Sequence, residues 1–182
     1  ARATPADYQA HTQVGQVTLA AEFTSHSVPT QKSTLSNENY IVVELALFGA
    51  TPDAHTIIST DDFSLRINDN KKALPSQPYA MSFEQLKDPE WEPPVPVESK
   101  SKTGINAGGN DSGSTPAPVH PPFALKRGWE QSVQKAALPE GDRQLPVAGL
   151  LFFRYGGKDK GIYSVELVYS GSAGKTTLAL HP

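Results

Sequence analysis

The chain predicts an all-β protein, an antiparallel β-sandwich carrying a long proline-rich loop and one short helix. Three observations carry that expectation. Apolar and polar side chains alternate over short runs, above all at 40–48 and 162–169, and a period of two marks a strand. Helical spacing is confined to one stretch, 123–138. Sixteen prolines and 14 glycines in 182 residues supply the turns that many short strands need.

Taken in order, residues 1–13 are polar and without period, so they are expected to form an arm, flexible or docked. The single domain is expected over 14–182, with its proline-rich insertion at about 88–122. From Val14 to Phe23 a first strand is predicted, with Val17, Leu19, Ala21 and Phe23 on one face. Thr24 to Asn39 is rich in Ser, Thr and Asn and predicts a loop. Tyr40 to Phe48 is the clearest strand of the first half. Ile41, Val43, Leu45 and Leu47 form one face; Tyr40, Val42, Glu44, Ala46 and Phe48 form the other. Burying four such apolar side chains is worth about 6–12 kcal/mol before chain entropy is charged.

Gly49 to Thr56 turns the chain, and Phe63 to Ile67 alternates again. Asn68-Asp69-Asn70 is a tight turn, since Asn and Asp tolerate left-handed φ. Lys71 to Leu74 predicts a short edge strand, its lysines discouraging further pairing. Tyr79 to Phe83 predicts another short strand.

Asp88 to Pro122 changes character: it holds eight of the 16 prolines, and Ser99 to Thr115 has no apolar period. A loop of this length is either functional or disordered. In the helix, Leu125, Trp129, Val133 and Ala136 or Ala137 recur at helical spacing, and Pro139 ends the run. Gly128 weakens the helix by about 1 kcal/mol. Leu138 to Arg143 predicts a turn.

Leu145 to Leu180 is the densest apolar stretch. Leu150 to Tyr155 is apolar on both faces, as in a central strand covered on both sides. Gly156 to Gly161 predicts a hairpin loop leading to a half-buried strand, 162–169, with Tyr163, Val165, Leu167 and Tyr169 on one face. Ser170 to Lys175 predicts a second turn, and Thr176 to Leu180 a last strand with Leu178 and Leu180 inward. Within that turn, Gly171-Ser172-Ala173-Gly174-Lys175-Thr176 imitates a phosphate loop. A true one has four residues between its glycines and opens a helix; here two residues intervene and a strand follows.

Composition narrows function. A formal net charge of −3 argues against a nucleic-acid partner, which calls for a basic stripe. No apolar run approaches the roughly 20 residues of a membrane helix. Without cysteine, disulfides, zinc–thiolate sites and thiol catalysis are excluded. The opening Ala-Arg-Ala-Thr-Pro has the look of a mature chain after signal-peptide removal. A periplasmic or extracellular location is therefore expected.

Three ordered segments point to a family: Asn39-Tyr40-Ile41-Val42-Val43-Glu44-Leu45, then Asp62-Phe63-Ser64-Leu65-Arg66, then Gly149-Leu150-Leu151-Phe152-Phe153. They resemble the immunoglobulin-like domains of exported bacterial proteins of unknown function, over about Val14 to Leu180. The resemblance implies an immunoglobulin-like antiparallel β-sandwich outside the cytoplasm and brings no catalytic residues. The proline-rich insertion and the helix depart from that pattern.

No catalytic constellation emerges. His11, His26, His55, His120 and His181 lack ligand spacing, and solvated loop positions are their default. Asp53 and His55, with Asp61 and Asp62 nearby, fall short of a converging metal set, so no metal or other cofactor is expected. Glu84, Asp88, Glu90 and Glu92 cluster beside the proline-rich stretch. A hydrolase using them would need two carboxyls opposed across a cleft; a solvated acidic loop is the plainer reading. Glu44 and Glu166 are read as solvent-facing. There is no G-x-S-x-G elbow, and Asn110-Asp111-Ser112 matches a glycosylation acceptor only formally.

Trp129 is read as a core rung of the helix. Trp91, in Pro89-Glu90-Trp91-Glu92-Pro93-Pro94-Val95-Pro96, has two readings. An aromatic on an extended proline-rich segment can anchor an interface, with Trp91, Pro93, Pro94 and Pro96 as partner-binding residues. Alternatively Trp91 folds back over the edge of the domain. The functional expectation is a non-catalytic, exported structural or binding subunit whose partner is another protein or a second copy. A carbohydrate-binding module using exposed aromatics is the alternative, and an acid-dependent hydrolase a third.

Overall fold

The computed structural model describes residues 1–92 and 121–182. Their thirteen strands are β1 (Ala10–Val14), β2 (Val17–Ser25), β3 (Ser27–Pro29), β4 (Thr34–Asn37), β5 (Tyr40–Gly49), β6 (His55–Ile58), β7 (Phe63–Ile67), β8 (Leu74–Gln77), β9 (Leu86–Lys87), β10 (Gly141–Gln144), β11 (Val147–Arg154), β12 (Val165–Gly171) and β13 (Gly174–Leu180). One α-helix, α1 (Phe123–Ala136), precedes β10. Eight strands form one sheet in the order β1-β2-β5-β11-β8-β7-β12-β13, with every pair antiparallel. The sheet curls until its two outer strands face each other. There the Gln9 amide donates to the His181 carbonyl at 2.9 Å, but no ladder joins β1 to β13. The result is a nearly closed barrel, joined thinly at one place. β8 shares only two residue pairs with β11 and two with β7.

The alternation read from the sequence is what fills this interior. Ile41, Val43, Leu45 and Leu47 of β5 point inward with Leu151 and Phe153 of β11, and meet Leu65, Leu167 and Leu178 from across the barrel. The opposite side chains of β5 and β11 are also covered. Tyr40, Val42, Leu150 and Phe152 pack under Trp129 and Val133 of α1 and under Val28, Leu35 and Leu86 of the small sheet β3-β4-β9. Farther along, Ala20 and Ala46 are small enough for Tyr8 to pack down on them, edge to face with Phe48. Hence β5 and β11 read as apolar on both faces: they are central strands with a layer on each side.

Several elements differ from expectation. The first strand is a hairpin, β1 and β2, turning at Gly15, whose φ of +58° favours glycine. Residues 24–39 hold β3 and β4, because Val28 and Leu35 supply two fully buried side chains amid the polar run. The predicted edge strand begins at its last residue, Leu74, and lies inside the sheet between β11 and β7, leaving Lys71 and Lys72 in the turn. Tyr79–Gln85 is a 3-10 helix, not a strand; the Ser82 hydroxyl donates to the Tyr79 carbonyl and holds the turn locally. Residues 156–161 do not close a hairpin, since both neighbours of β11 are already β5 and β8, and the chain must cross to β7 to place β12. Tyr163 therefore lies outside β12 and is exposed, while Ile162 is buried. Part of the predicted turn at 138–143 is β10, paired with β6. In α1, Trp129 and Val133 are buried as expected, but Leu125 is exposed.

The expected turns at 68–70 and 171–174 are present. Asn68 and Asp69 take positive φ, and Gly171 faces Gly174 across the β12–β13 hairpin. That hairpin contains the phosphate-loop look-alike. Glu44 and Glu166 are not simply solvated: Glu44 pairs with Arg2 at 2.9 Å and Glu166 with Arg66 at 3.0 Å. Pro93, Pro94, Pro96, His120 and the triplet at Asn110 lie outside the described residues.

Candidate functional site

Two neighbouring regions on the outer face of β5 and β11 gather the side chains with something to offer. The first is an aromatic cap. The 3-10 helix Tyr79–Gln85 leads through β9 into a turn in which the Asp88 carboxylate accepts from the Glu90 amide at 2.9 Å and its carbonyl from Trp91 at 3.0 Å. This turn brings Trp91 back onto α1. Its ring meets that of Trp129 edge to face, 6.2 Å between centroids at 77°. Tyr79 and Phe83 form a second pair at 5.8 Å. The same layer leaves apolar surface open: Met81 is 56% exposed and Phe123, at the start of α1, 79%.

The cap is held from beneath by a polar knot that is not legible in the sequence. Asn37 is fully buried. Its amide donates to the Ser82 carbonyl at 2.8 Å, and its side-chain oxygen accepts from Asn39 N at 2.9 Å. His26 extends the knot. Its Nδ1 lies 2.8 Å from the Asn37 carbonyl and 2.9 Å from that of Tyr40, and its Nε2 lies 2.7 Å from the Gly157 carbonyl. Thus His26, far from being a solvated loop residue, ties the β4–β5 corner to the loop after β11. A pocket of about 490 Å³ opens beside it, lined among others by Ser36, Glu38, Lys158 and Asp159. Asp159 in turn accepts from the Ser25 hydroxyl.

The other candidates stand apart. His11, His55 and His181 are exposed; His55 lies 3.5 Å from Asp142. Among the described residues no three His, Asp or Glu side chains are grouped to hold a metal ion. Glu84, Glu90 and Glu92 are exposed on the surface, where carboxylates are ordinary. Trp91, half-buried against Trp129, presents no open flat platform. Its contact is with α1, while Met81 and Phe123 are the large apolar side chains exposed beside it. Among the described residues no helix is long and apolar enough to cross a membrane.

No family model matches the chain. No curated protein matches it either. Among solved structures it is similar to a putative lipoprotein, YcdA, from Bacillus subtilis, at 12% identity and a TM-score of 0.41. The similarity covers 96% of this chain and 38% of that one, so the chain spans well under half the length of its structural neighbour. At that level of similarity no property is carried across.

Proposed function

We propose that this protein is a non-catalytic binding subunit that meets a protein partner through the aromatic cap and works outside the cytoplasm. The observation that carries the reading is the exposure of Met81 and Phe123 on the layer that also holds the Trp91–Trp129 pair. Large apolar side chains beside packed aromatics are the composition of an interface centre. Trp91 then acts by stiffening the cap, and the segment carrying Pro93, Pro94 and Pro96 continues from it. The extracytoplasmic part of the reading rests on the cysteine-free composition and on the resemblance to exported immunoglobulin-like domains. The thin join at β8 supports that resemblance. It leaves β1-β2-β5-β11 and β7-β12-β13 as two walls facing each other across one core, an arrangement that two stacked sheets would share.

A photocrosslinking residue at position 123, with one at the exposed His11 of β1 as control, tests the reading in envelope extracts. A defined adduct at 123 that is absent at 11, and that is lost in Met81→Ser, is the expected result. Equal labelling at both positions, or an adduct indifferent to Met81→Ser, refutes it.

A further inference from the structure

The barrel is charged oppositely at its two ends. Because all eight strands are antiparallel, each loop belongs to one end or the other. One end holds the β7–β8 turn and the loop from β11 to β12. These segments interlock: the Asn68 side chain accepts from Tyr163 N at 2.7 Å and donates to the Gly161 carbonyl at 2.8 Å. They carry Lys71, Lys72, Lys158 and Lys160, all exposed, with Arg154 at the end of β11. Against these stand Glu38, Asp69 and Asp159; Glu38 is paired with Lys87 at 3.1 Å, and Asp159 is engaged by the Ser25 hydroxyl and lies 3.7 Å from the His26 ring. The other end holds the 3-10 turn Thr60–Asp62, the β6–β10 ribbon and the β12–β13 turn. It carries Asp53, Asp61, Asp62, Glu140 and Asp142 against Arg143 and Lys175. These carboxylates are close enough to feel one another. The Asp62 carboxyl is pushed above its usual range by burial first, then by Asp61 and Glu140. Each end also exposes one large apolar residue, Tyr163 at 71% on the basic end and Ile57 at 63% on the acidic end.

We propose that the basic end of one molecule docks on the acidic end of a second copy, so that the chain associates head to tail. This deepens the reading of a binding subunit by naming one partner, and it uses none of the cap's residues. The contact is heterologous: the two patches are different surfaces of the same chain, so association continues into rings or filaments rather than stopping at a dimer. Opposite charges steer the encounter and set its polarity, and Tyr163 and Ile57 supply the apolar contact that charges alone do not.

The test is sedimentation of the full chain over a concentration series, at about 10 mM and about 1 M salt, where the screening length falls from roughly 30 Å to 3 Å. At low salt the weight-average mass is expected to rise with concentration past the dimer; at high salt it is expected to fall to the monomer. Two charge-reversal variants sharpen the outcome. Lys71→Glu with Lys72→Glu, Lys158→Glu and Lys160→Glu leaves both ends acidic. Asp53→Lys with Asp61→Lys, Glu140→Lys and Asp142→Lys leaves both ends basic. Each alone is expected to stay monomeric with an unchanged far-UV spectrum, and a one-to-one mixture to regain the mass of the parent chain. A parent chain that stays monomeric at low salt overturns the proposal. So does association that survives high salt, either variant associating as the parent does, or a mixture that stays monomeric. Loss of crosslinking at position 123 with head-to-tail association intact would fault the cap and leave this contact standing; the reverse pattern would do the opposite.

Discussion

Asn37 shows how one polar residue can govern a site made otherwise of apolar contacts. Its side chain is sealed from water, so each bond it makes is costly to leave open. Asn37→Ala strands the Ser82 carbonyl and the Asn39 amide, and a loss of about 2–4 kcal/mol is expected, read by urea unfolding. An unchanged midpoint would show that the knot is dispensable. Two carboxyls make opposite contributions with pH. The Glu22 carboxyl is held below its usual range by its hydrogen bond to Arg2, against a smaller opposing effect of burial. Its contribution to stability is present above the unfolded pKa and fades as pH falls through the folded one; at the surface such a pair is worth well under about 1 kcal/mol. Asp62 has the reverse sign. Its raised folded pKa favours the protonated form, so its contribution is full below the unfolded value and is lost as pH rises through the folded one. Asp62→Asn is therefore expected to stabilise the fold slightly at pH 7 and to have no such effect at pH 3, a difference that paired thermal melts would reveal.

Among elements, α1 and β11 make a contrast between two glycines. A methyl group at Gly128, on α1, would meet no atom of the described residues within 4 Å beyond the helix's own backbone. Gly128→Ala should therefore gain close to the full difference in helix propensity, about 0.5–1 kcal/mol. Gly149 lies where the chain leaving α1 crosses β11: Leu138 N donates to the Leu150 carbonyl at 3.0 Å, and a methyl on Gly149 would stand 2.5 Å from Leu138 N. Gly149→Ala should push helix and strand apart and cost about 1–3 kcal/mol. Denaturant midpoints moving in opposite directions for the two variants are the expected outcome; a shared direction would mean that α1 does not pack here. The sequence located α1 from its Trp129–Val133 stripe because that stripe is local. It could not distinguish the two glycines, since the contact of Gly149 is with residues that approach it from another element.

For the whole molecule, near-closure of the barrel is the property on which most else depends. The strands β5 and β11 are bonded on both sides, whereas among the described residues β1 and β13 each keep one edge without a ladder. Amides on those facing edges are expected to exchange with deuterium much faster than those of β5 and β11, and uniform protection around the ring would show the seam to be zipped. Alternation by itself determined that 40–48 and 63–67 are strands, and which of their side chains face the core, because the period of two is imposed by the backbone of each strand alone. Double-sided apolarity marked 150–155 as a central strand before any partner was known. Tertiary structure alone decided which strand lies beside which. The 156–161 loop was legible as a turn but not as a crossing, since its course depends on β5 and β8 having already taken both edges of β11. It also decided that Val28 and Leu35, isolated in a polar run, become a covering sheet, and that His26 and Asn37 become a knot. Their bonding partners come from segments tens of residues away, and a hydrogen bond formed across that distance leaves no periodic trace in the chain.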